Sequence, residues 1–256
     1  MDQIGLKALG QVGYRIDFGG TVLFIDPYLS DFVSRHLDCS LVRLLPVEIQ
    51  PNTVTDADWI CITHAHADHC DPDTLVPMSL ASPGAQFLCS GYVATILEDL
   101  GIAPGRIEVP EEHSWVRLGR ELQVSAVPAA HPRITRDSGN RPICLGFVFD
   151  FCGRRLFHAG DTSPQEELLA LLRRYGGFEA AFLPVNEDSF FLRRRGIIGN
   201  MTVREAFDFA VEIGAKRLIP THWDMFAGNG VPLEEIRLVY QQSPHPFSLE
   251  IYPTRL

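Results

Sequence analysis

The sequence predicts a layered α/β domain with its helices outside the sheets. Three observations lead there: hairpin-forming segments dominate the first half, strands and helices alternate in the second, and the composition is that of an ordinary globular chain. The 256 residues are 46% hydrophobic and 21% charged, with 21 Gly and 18 Pro, which suits a sizeable buried core. No repeat, low-complexity run or Gly/Ser linker divides the chain, so residues 1–256 are read as one domain.

Residues 11–27 alternate apolar and polar about Gly19-Gly20, the pattern of a β-hairpin whose turn needs positive φ, and Asp26-Pro27 ends its second strand. Residues 28–56 show no periodicity and read as a long surface loop or lid. Trp59–Thr63 is a short buried strand that runs into a cluster of His and Asp. A short helix is expected near Asp73–Met78, a strand over Phe87–Cys89, a helix over Tyr92–Leu100 and strands within 106–130. A second hairpin spans Ile143–Phe157 and turns at Cys152-Gly153.

Ser163, Pro164 and Glu166 read as an N-cap, a first helical residue and a capping-box partner, with Gly176-Gly177 as the stop. Ala180–Val185 is an apolar strand. Thr202 and Glu205 form a second capping box, and Val203, Ala206, Phe207, Ala210, Val211 and Gly214 recur at helical spacing. Leu218–Thr221 is a strand and Pro232–Gln242 a last helix.

With 22 Lys+Arg against 32 Asp+Glu, the formal net charge is −10. That balance disfavours nucleic-acid binding but not a small anionic substrate held by a local basic cluster. No stretch approaches the ~18 apolar residues of a membrane span. The start, Met1–Lys7, lacks the basic-then-apolar order of a signal peptide. Six cysteines scattered without CxxC spacing suit reduced thiols. The expectation is a cytoplasmic protein whose partner is a small molecule, with neither nucleic acid nor membrane as partner and with self-association into a homo-oligomer left open.

The segment Thr63-His64-Ala65-His66-Ala67-Asp68-His69 offers four potential metal ligands within six positions. On an extended chain His64 and His66 point the same way and can hold one ion, while Asp68 and His69 can face a second. His131, Asp161 and His222 each follow a segment read as a strand, and ligands offered from strand ends meet at one sheet edge. Asp161 ahead of Thr162-Ser163 also suits a plain helix cap.

Together, H-x-H-x-D-H at 64–69, the lone His131, Gly160-Asp161-Thr162 and the late His222 resemble the metallo-β-lactamase superfamily over nearly the whole chain. The resemblance implies a four-layer αββα sandwich. It further implies that His64, His66 and His131 hold one metal, that Asp68, His69 and His222 hold another, and that Asp161 bridges. A narrower likeness runs through Pro184-Val185-Asn186, Gly196–Thr202 and Pro220–Phe226 with Asn229. It resembles the branch containing L-ascorbate-6-phosphate lactonase, although Glu187-Asp188 replaces the Gly-Arg expected after Asn186.

N and O donors suit one or two divalent ions, Zn or Mn foremost, rather than a thiolate-selected centre. Such an ion lowers the pKa of bound water from about 15.7 to about 7 and polarises a carbonyl or phosphoryl oxygen. By resemblance and position, Asp68 is the expected catalytic proton shuttle. Asn186 is a candidate oxyanion donor, with a simple turn cap as the alternative. Arg193, Arg194 and Arg195 form the only dense basic run and are candidate anion binders, with Arg133, Arg136 and Arg141 as secondary ones. Trp223 and Phe226 are candidate pocket walls. The expected activity is hydrolysis of a lactone or related ester of a small anionic metabolite. A metal-dependent phosphodiesterase and a non-hydrolytic metal-binding protein are the alternatives.

Overall fold

Side-chain alternation along the strands sorts this chain into layers. The computed structural model describes residues 3–256. Strands β1 (Gly5–Gly10), β2 (Gly13–Phe18), β3 (Thr21–Ile25), β4 (Trp59–Ile62), β5 (Gln86–Cys89) and β6 (Ile107–Glu108) form one sheet in sequence order. Strands β7 (Trp115–Arg117), β8 (Leu122–Pro128), β9 (Leu145–Phe151), β10 (Arg154–His158), β11 (Ala180–Pro184), β12 (Arg217–Thr221) and β13 (Ser248–Leu249) form the other, in the order β13-β12-β11-β10-β9-β8-β7. Each sheet begins with antiparallel hairpin pairs and continues parallel, from β3 to β6 and from β10 to β13. The helices are α1 (Phe32–His36), α2 (Pro72–Ala81), α3 (Gly91–Asp99), α4 (Glu166–Arg173), α5 (Phe190–Arg194), α6 (Val203–Glu212) and α7 (Leu233–Gln241).

Leu23, Ile25, Cys61 and Leu88 of the first sheet meet Phe147, Phe149, Leu156, Phe182 and Ile219 of the second in a shared core. Their chain neighbours point the other way, as a period of two requires. Phe24, Ile60, Ile62 and Phe87 pack under Leu75 and Met78 of α2 and Val93 and Leu97 of α3. On the far side Val148, Phe157, Ala181 and Leu218 pack under Leu168 and Leu172 of α4, Ala206 and Phe207 of α6 and Ile236 of α7. Helix, sheet, sheet, helix: this is the four-layer αββα sandwich.

Both expected hairpins form. Gly19 and Gly20, at φ +57° and +79°, make the turn between β2 and β3. The Thr202–Glu205 capping box closes the start of α6, with both reciprocal bonds present. Val211 departs from the expected buried stripe and faces solvent at the end of that helix.

The capping box expected at Ser163 does not form. Helix α4 starts two residues later than expected, at Glu166, with Gln165 as an N-cap that makes no side-chain bond. The reason is a competing tie. The Ser163 N–H donates to the Ala130 carbonyl (2.7 Å), and the Ala130 N–H donates to the Thr162 hydroxyl (2.9 Å). These bonds strap the segment after Asp161 to the segment before His131, so it cannot coil into the helix.

The 28–56 segment is a pinned flap. It carries α1 and a 3-10 turn at Pro51–Thr53. Arg43 donates to the carbonyls of Tyr28 (2.6 Å) and Leu45 (2.8 Å), while Tyr28, Val33 and Leu41 pack with Met225 and Phe226. Phe226 is therefore core rather than pocket wall.

At Gly160 the second sheet's edge lies close against Thr63 of the first. The φ of Gly160 is +59°, and an added Cβ would sit 2.7 Å from Thr63 Cγ2. Gly160→Ala is expected to cost about 1–3 kcal/mol through backbone strain and overpacking, read as a lowered Tm. An unchanged Tm would show that the edges can part freely here.

Candidate metal centre

The parallel strands of both sheets end at one edge, where side chains on short loops converge. The turn after β4 supplies His64, His66, Asp68 and His69, and the segment after β8 supplies His131. Asp161 follows β10, and His222 directly follows β12. Two ligand groups result, one of His64, His66, His131 and Asp161, the other of Asp68, His69 and His222. All seven residues named from the sequence are thus brought together.

In the first group His66 Nδ1 lies 2.9 Å from His64 Nε2 and 3.2 Å from His131 Nε2. Asp161 Oδ2 lies 3.6 Å from His131 Nε2 and 3.3 Å from His222 Nε2, and Asp161 Oδ1 lies 3.4 Å from His69 Nε2. Asp68 Oδ2 is 3.6 Å from His69 Nε2 and 3.5 Å from His222 Nε2. Donors on one tetrahedral ion at 2.0–2.1 Å are spaced about 3.3 Å apart, so these spacings suit a divalent ion. His69 Nε2 and Asp161 Oδ1 are buried without a hydrogen-bond partner. A buried polar atom left unpaired is costly, and an ion would satisfy both. The residues fit the group.

Asp26, buried beneath the site, organises it from behind. Its carboxylate accepts from the Thr63 N–H (2.8 Å) and the Thr63 hydroxyl (2.5 Å) and sits 2.8 Å from His69 Nδ1. With Nδ1 so engaged, His69 presents Nε2 to the centre, the usual carboxylate–histidine arrangement behind a metal. In the sequence Asp26 is legible only as a strand end. Its one local signal was the Asp-Pro pair, where Asp26 has φ +40°. Gln11, buried at the same edge, was missed altogether. Its Nε2 lies 2.5 Å from Asp68 Oδ2 and 3.0 Å from His222 Nε2.

Electrostatics separates the two groups. Burial pushes His64 well below its ordinary pKa and His131 down to about 4, so both rings are neutral at pH 7. His69 and His222 are equally buried. Asp161 and Asp68 override that burial and lift them to about 9 and about 10. Burial opposes the charge on Asp68 and Asp161 too, yet the facing His69 and His222 hold both carboxyls below the usual range.

A pH prediction follows with a definite sign. An ion entering the second group must displace protons from His69 and His222, whereas His64 and His131 of the first group carry none at neutral pH. The second-group affinity should therefore rise with pH more steeply than the first, by up to roughly two log units per pH unit below about pH 9. Calorimetric titration of metal-stripped protein in buffers of different ionisation enthalpy reads the proton count. Equal release at both steps would refute the asymmetry.

Other residues singled out from the sequence lie apart from this cluster. The Asn186 amide donates to Asn229 Oδ1 (3.0 Å), and its carbonyl accepts from Asn200 (2.8 Å). This buried chain ties three loops together, so the tying role replaces the oxyanion one. Arg193 Nε is 3.3 Å from Asp188, and Arg194 stacks on Phe190. Arg195 pairs with Asp38 (3.3 Å) and Ser40 (2.8 Å). These partners, two of them from the distant 28–56 flap, take up the basic run. Arg136 is held by Glu112 and Arg141 by Asp137. Arg133 is exposed, two residues beyond His131, and enters no ion pair among the described residues. Trp223 donates to the Pro220 carbonyl (3.1 Å) and stacks on Tyr252, a packing role.

Comparison with known proteins agrees with this geometry. A metal-dependent hydrolase of Exiguobacterium sp. is 29% identical over 222 residues, 84% of this chain and 83% of that protein. An uncharacterized protein of Mycobacterium bovis is 27% identical over 226 residues, and this chain spans 59% of its length. The solved structure of a metallo hydrolase from Ignicoccus hospitalis superposes with a TM-score of 0.74 at 17% identity, covering 100% of this chain and 98% of that one. Among the described residues no helix is long and apolar enough to cross a membrane. The model of the beta-lactamase superfamily domain matches residues 21–223, a span that includes all seven ligand positions, and the chain belongs to the metallo-β-lactamase superfamily.

Proposed function

We propose that this protein hydrolyses a lactone or related ester of a small anionic metabolite, using one or two divalent ions, zinc or manganese. The observation that carries the reading is the pair of ligand groups, with Asp161 of the first within 3.4 Å of His69 and 3.3 Å of His222 of the second, built wholly from N and O donors at one sheet edge. It is further supported by the relative named a metal-dependent hydrolase and by the likeness of the C-terminal third to the ascorbate-phosphate lactonase branch. Ions held here would supply Lewis acidity and a water ionised near neutral pH.

The chain's own residues do the rest. His64 and His131 enter as neutral donors because burial forbids their charge. Asp26 fixes the ring of His69, and the ties between Ala130, Thr162 and Ser163 hold the loops of His131 and Asp161 in register. Asp68 stays ionised beside its His partners and is partly exposed, so it can accept a proton and return it to a leaving alkoxide. Arg133, without an ion pair among the described residues, is a cation that can meet an anionic substrate group near His131, and Arg193–Arg195 are left out of this role by the partners they already have.

The test is metal analysis of protein purified without added metal, paired with turnover of lactones, carboxylic esters and phosphodiesters. Hydrolysis of lactones or esters that tracks metal content is the expected result. Turnover of phosphodiesters alone would replace the reading, since the same two-ion arrangement serves phosphoryl transfer. No metal-dependent turnover of any class would end it.

A further inference from the structure

Gln11 is a neutral side chain that reaches ligand atoms of the second group, and its backbone is strained to put it there. Its φ is +58° and that of His222 is +61°, a region that side chains larger than glycine seldom adopt. The two residues are locked together, because the His222 N–H donates to the Gln11 carbonyl (2.7 Å). The Gln11 N–H in turn donates to Asp224 Oδ1 (2.9 Å), and Asp224 accepts from the Tyr252 hydroxyl (2.6 Å). Such strain persists only where the surroundings over-determine it, and it gathers at functional sites.

The carboxamide itself is 2% exposed as part of the residue, and its oxygen has no partner. Its nitrogen faces Asp68 Oδ2 at 2.5 Å and His222 Nε2 at 3.0 Å, and so fills a position where a cation would sit or be touched. Once His222 Nε2 and Asp68 Oδ2 direct their lone pairs at an ion, the amide N–H has lost an acceptor. Half a turn of the amide about its last torsion exchanges nitrogen and oxygen. The oxygen then stands beside the same two donors: the 3.0 Å separation from His222 Nε2 is near the ligand spacing on one ion, and the 2.5 Å separation from Asp68 Oδ2 widens as the ion enters between the two oxygens.

We propose that Gln11 is a ligand of the second ion through Oε1, turning its amide from a donor that caps Asp68 to an oxygen that joins Asp68 and His222. The inference rests on the metal reading above. It adds a neutral oxygen to the Asp68, His69 and His222 group. That enrichment in oxygen favours Mn²⁺ over a strictly tetrahedral Zn²⁺ at this position.

The experiment is titration calorimetry of the metal-stripped full chain with Mn²⁺ and with Zn²⁺, resolving the two binding steps. Gln11→Met keeps the length of the side chain and the backbone cost while removing oxygen and nitrogen together; Gln11→Glu keeps the oxygen. Gln11→Met should weaken the second step by about ten- to a hundredfold and leave the first unchanged, and Gln11→Glu should match or exceed the wild type. A second step unchanged or tighter in Gln11→Met overturns the proposal, because the amide is then only a plug that the ion displaces. Loss of the second step in Gln11→Glu as well overturns it too, since the N–H would be the part that matters. The first step, carried by His64, His66 and His131, reports the fold and the metal reading separately. Its absence in the wild type would sink that reading and this inference together. If Gln11→Met fails to fold, Gln11→Glu against the wild type decides by the same criterion.

Discussion

Replacing His64 and His66 together with alanine is expected to abolish hydrolysis and empty the first ligand group, while the protein stays folded. The two rings contribute His64 Nε2 and His66 Nδ1, 2.9 Å apart, and His66 Nδ1 is also 3.2 Å from His131 Nε2. Neither ring belongs to a strand or to the shared core, since β4 ends at Ile62 and the chain turns there. His66 is exposed, and truncating it opens no cavity. His64 is buried, but its ring lies against His66, His69 and His131 rather than against the aromatic core. Circular dichroism and Tm of the stripped proteins should therefore nearly coincide, whereas metal content and turnover should not. Wild-type turnover from a double mutant shown to hold no metal would end the metal-dependent reading.

Asp68→Asn is expected to lower kcat by roughly 10²-fold or more, the scale of general acid–base assistance. The substitution keeps size and hydrogen-bonding reach but removes the charge that, with Asp161, holds His69 and His222 protonated in the metal-free protein. Two consequences can be told apart. Metal retained at wild-type levels with kcat reduced assigns Asp68 to proton transfer. Metal lost from the second group in parallel with kcat assigns it to ligation. If metal content and kcat both stay at wild-type levels, Asp68 does neither.

The Ser163 and Arg193–Arg195 readings show how local logic loses to longer-range bonds. Ser163-Pro164-x-Glu166 is a sound helix start by itself, yet two bonds to Ala130, more than thirty residues back, hold that segment extended. The arginine run is basic on paper. In three dimensions Asp188, Phe190, Asp38 and Ser40 take up its groups, two of them from the distant 28–56 flap. The edge strands β1 and β13 are not legible either: β1, which pairs with its neighbour β2, has no clean alternation of its own, and the two-residue β13 exists only through its pairing with the distant β12.

What the sequence alone determined is whatever repeats at short range. Periods of two and of 3.6 set the strands, the outer helices and hence the layers, and the spacing of 64–69 set one half of the ligand cluster. Even His131, Asp161 and His222 were legible, because each closely follows an apolar strand. Tertiary structure alone decided what stands behind and beside those ligands. Asp26 reaches His69 across 43 positions, and Gln11 reaches His222 across 211. Neither contact has a local signature, for a hydrogen bond depends on where two strand ends arrive in space and not on their separation along the chain. The same convergence sets the protonation of the site. Burial and two carboxylates act at once on four similar histidines, drawing His64 and His131 below neutrality and lifting His69 and His222 above it.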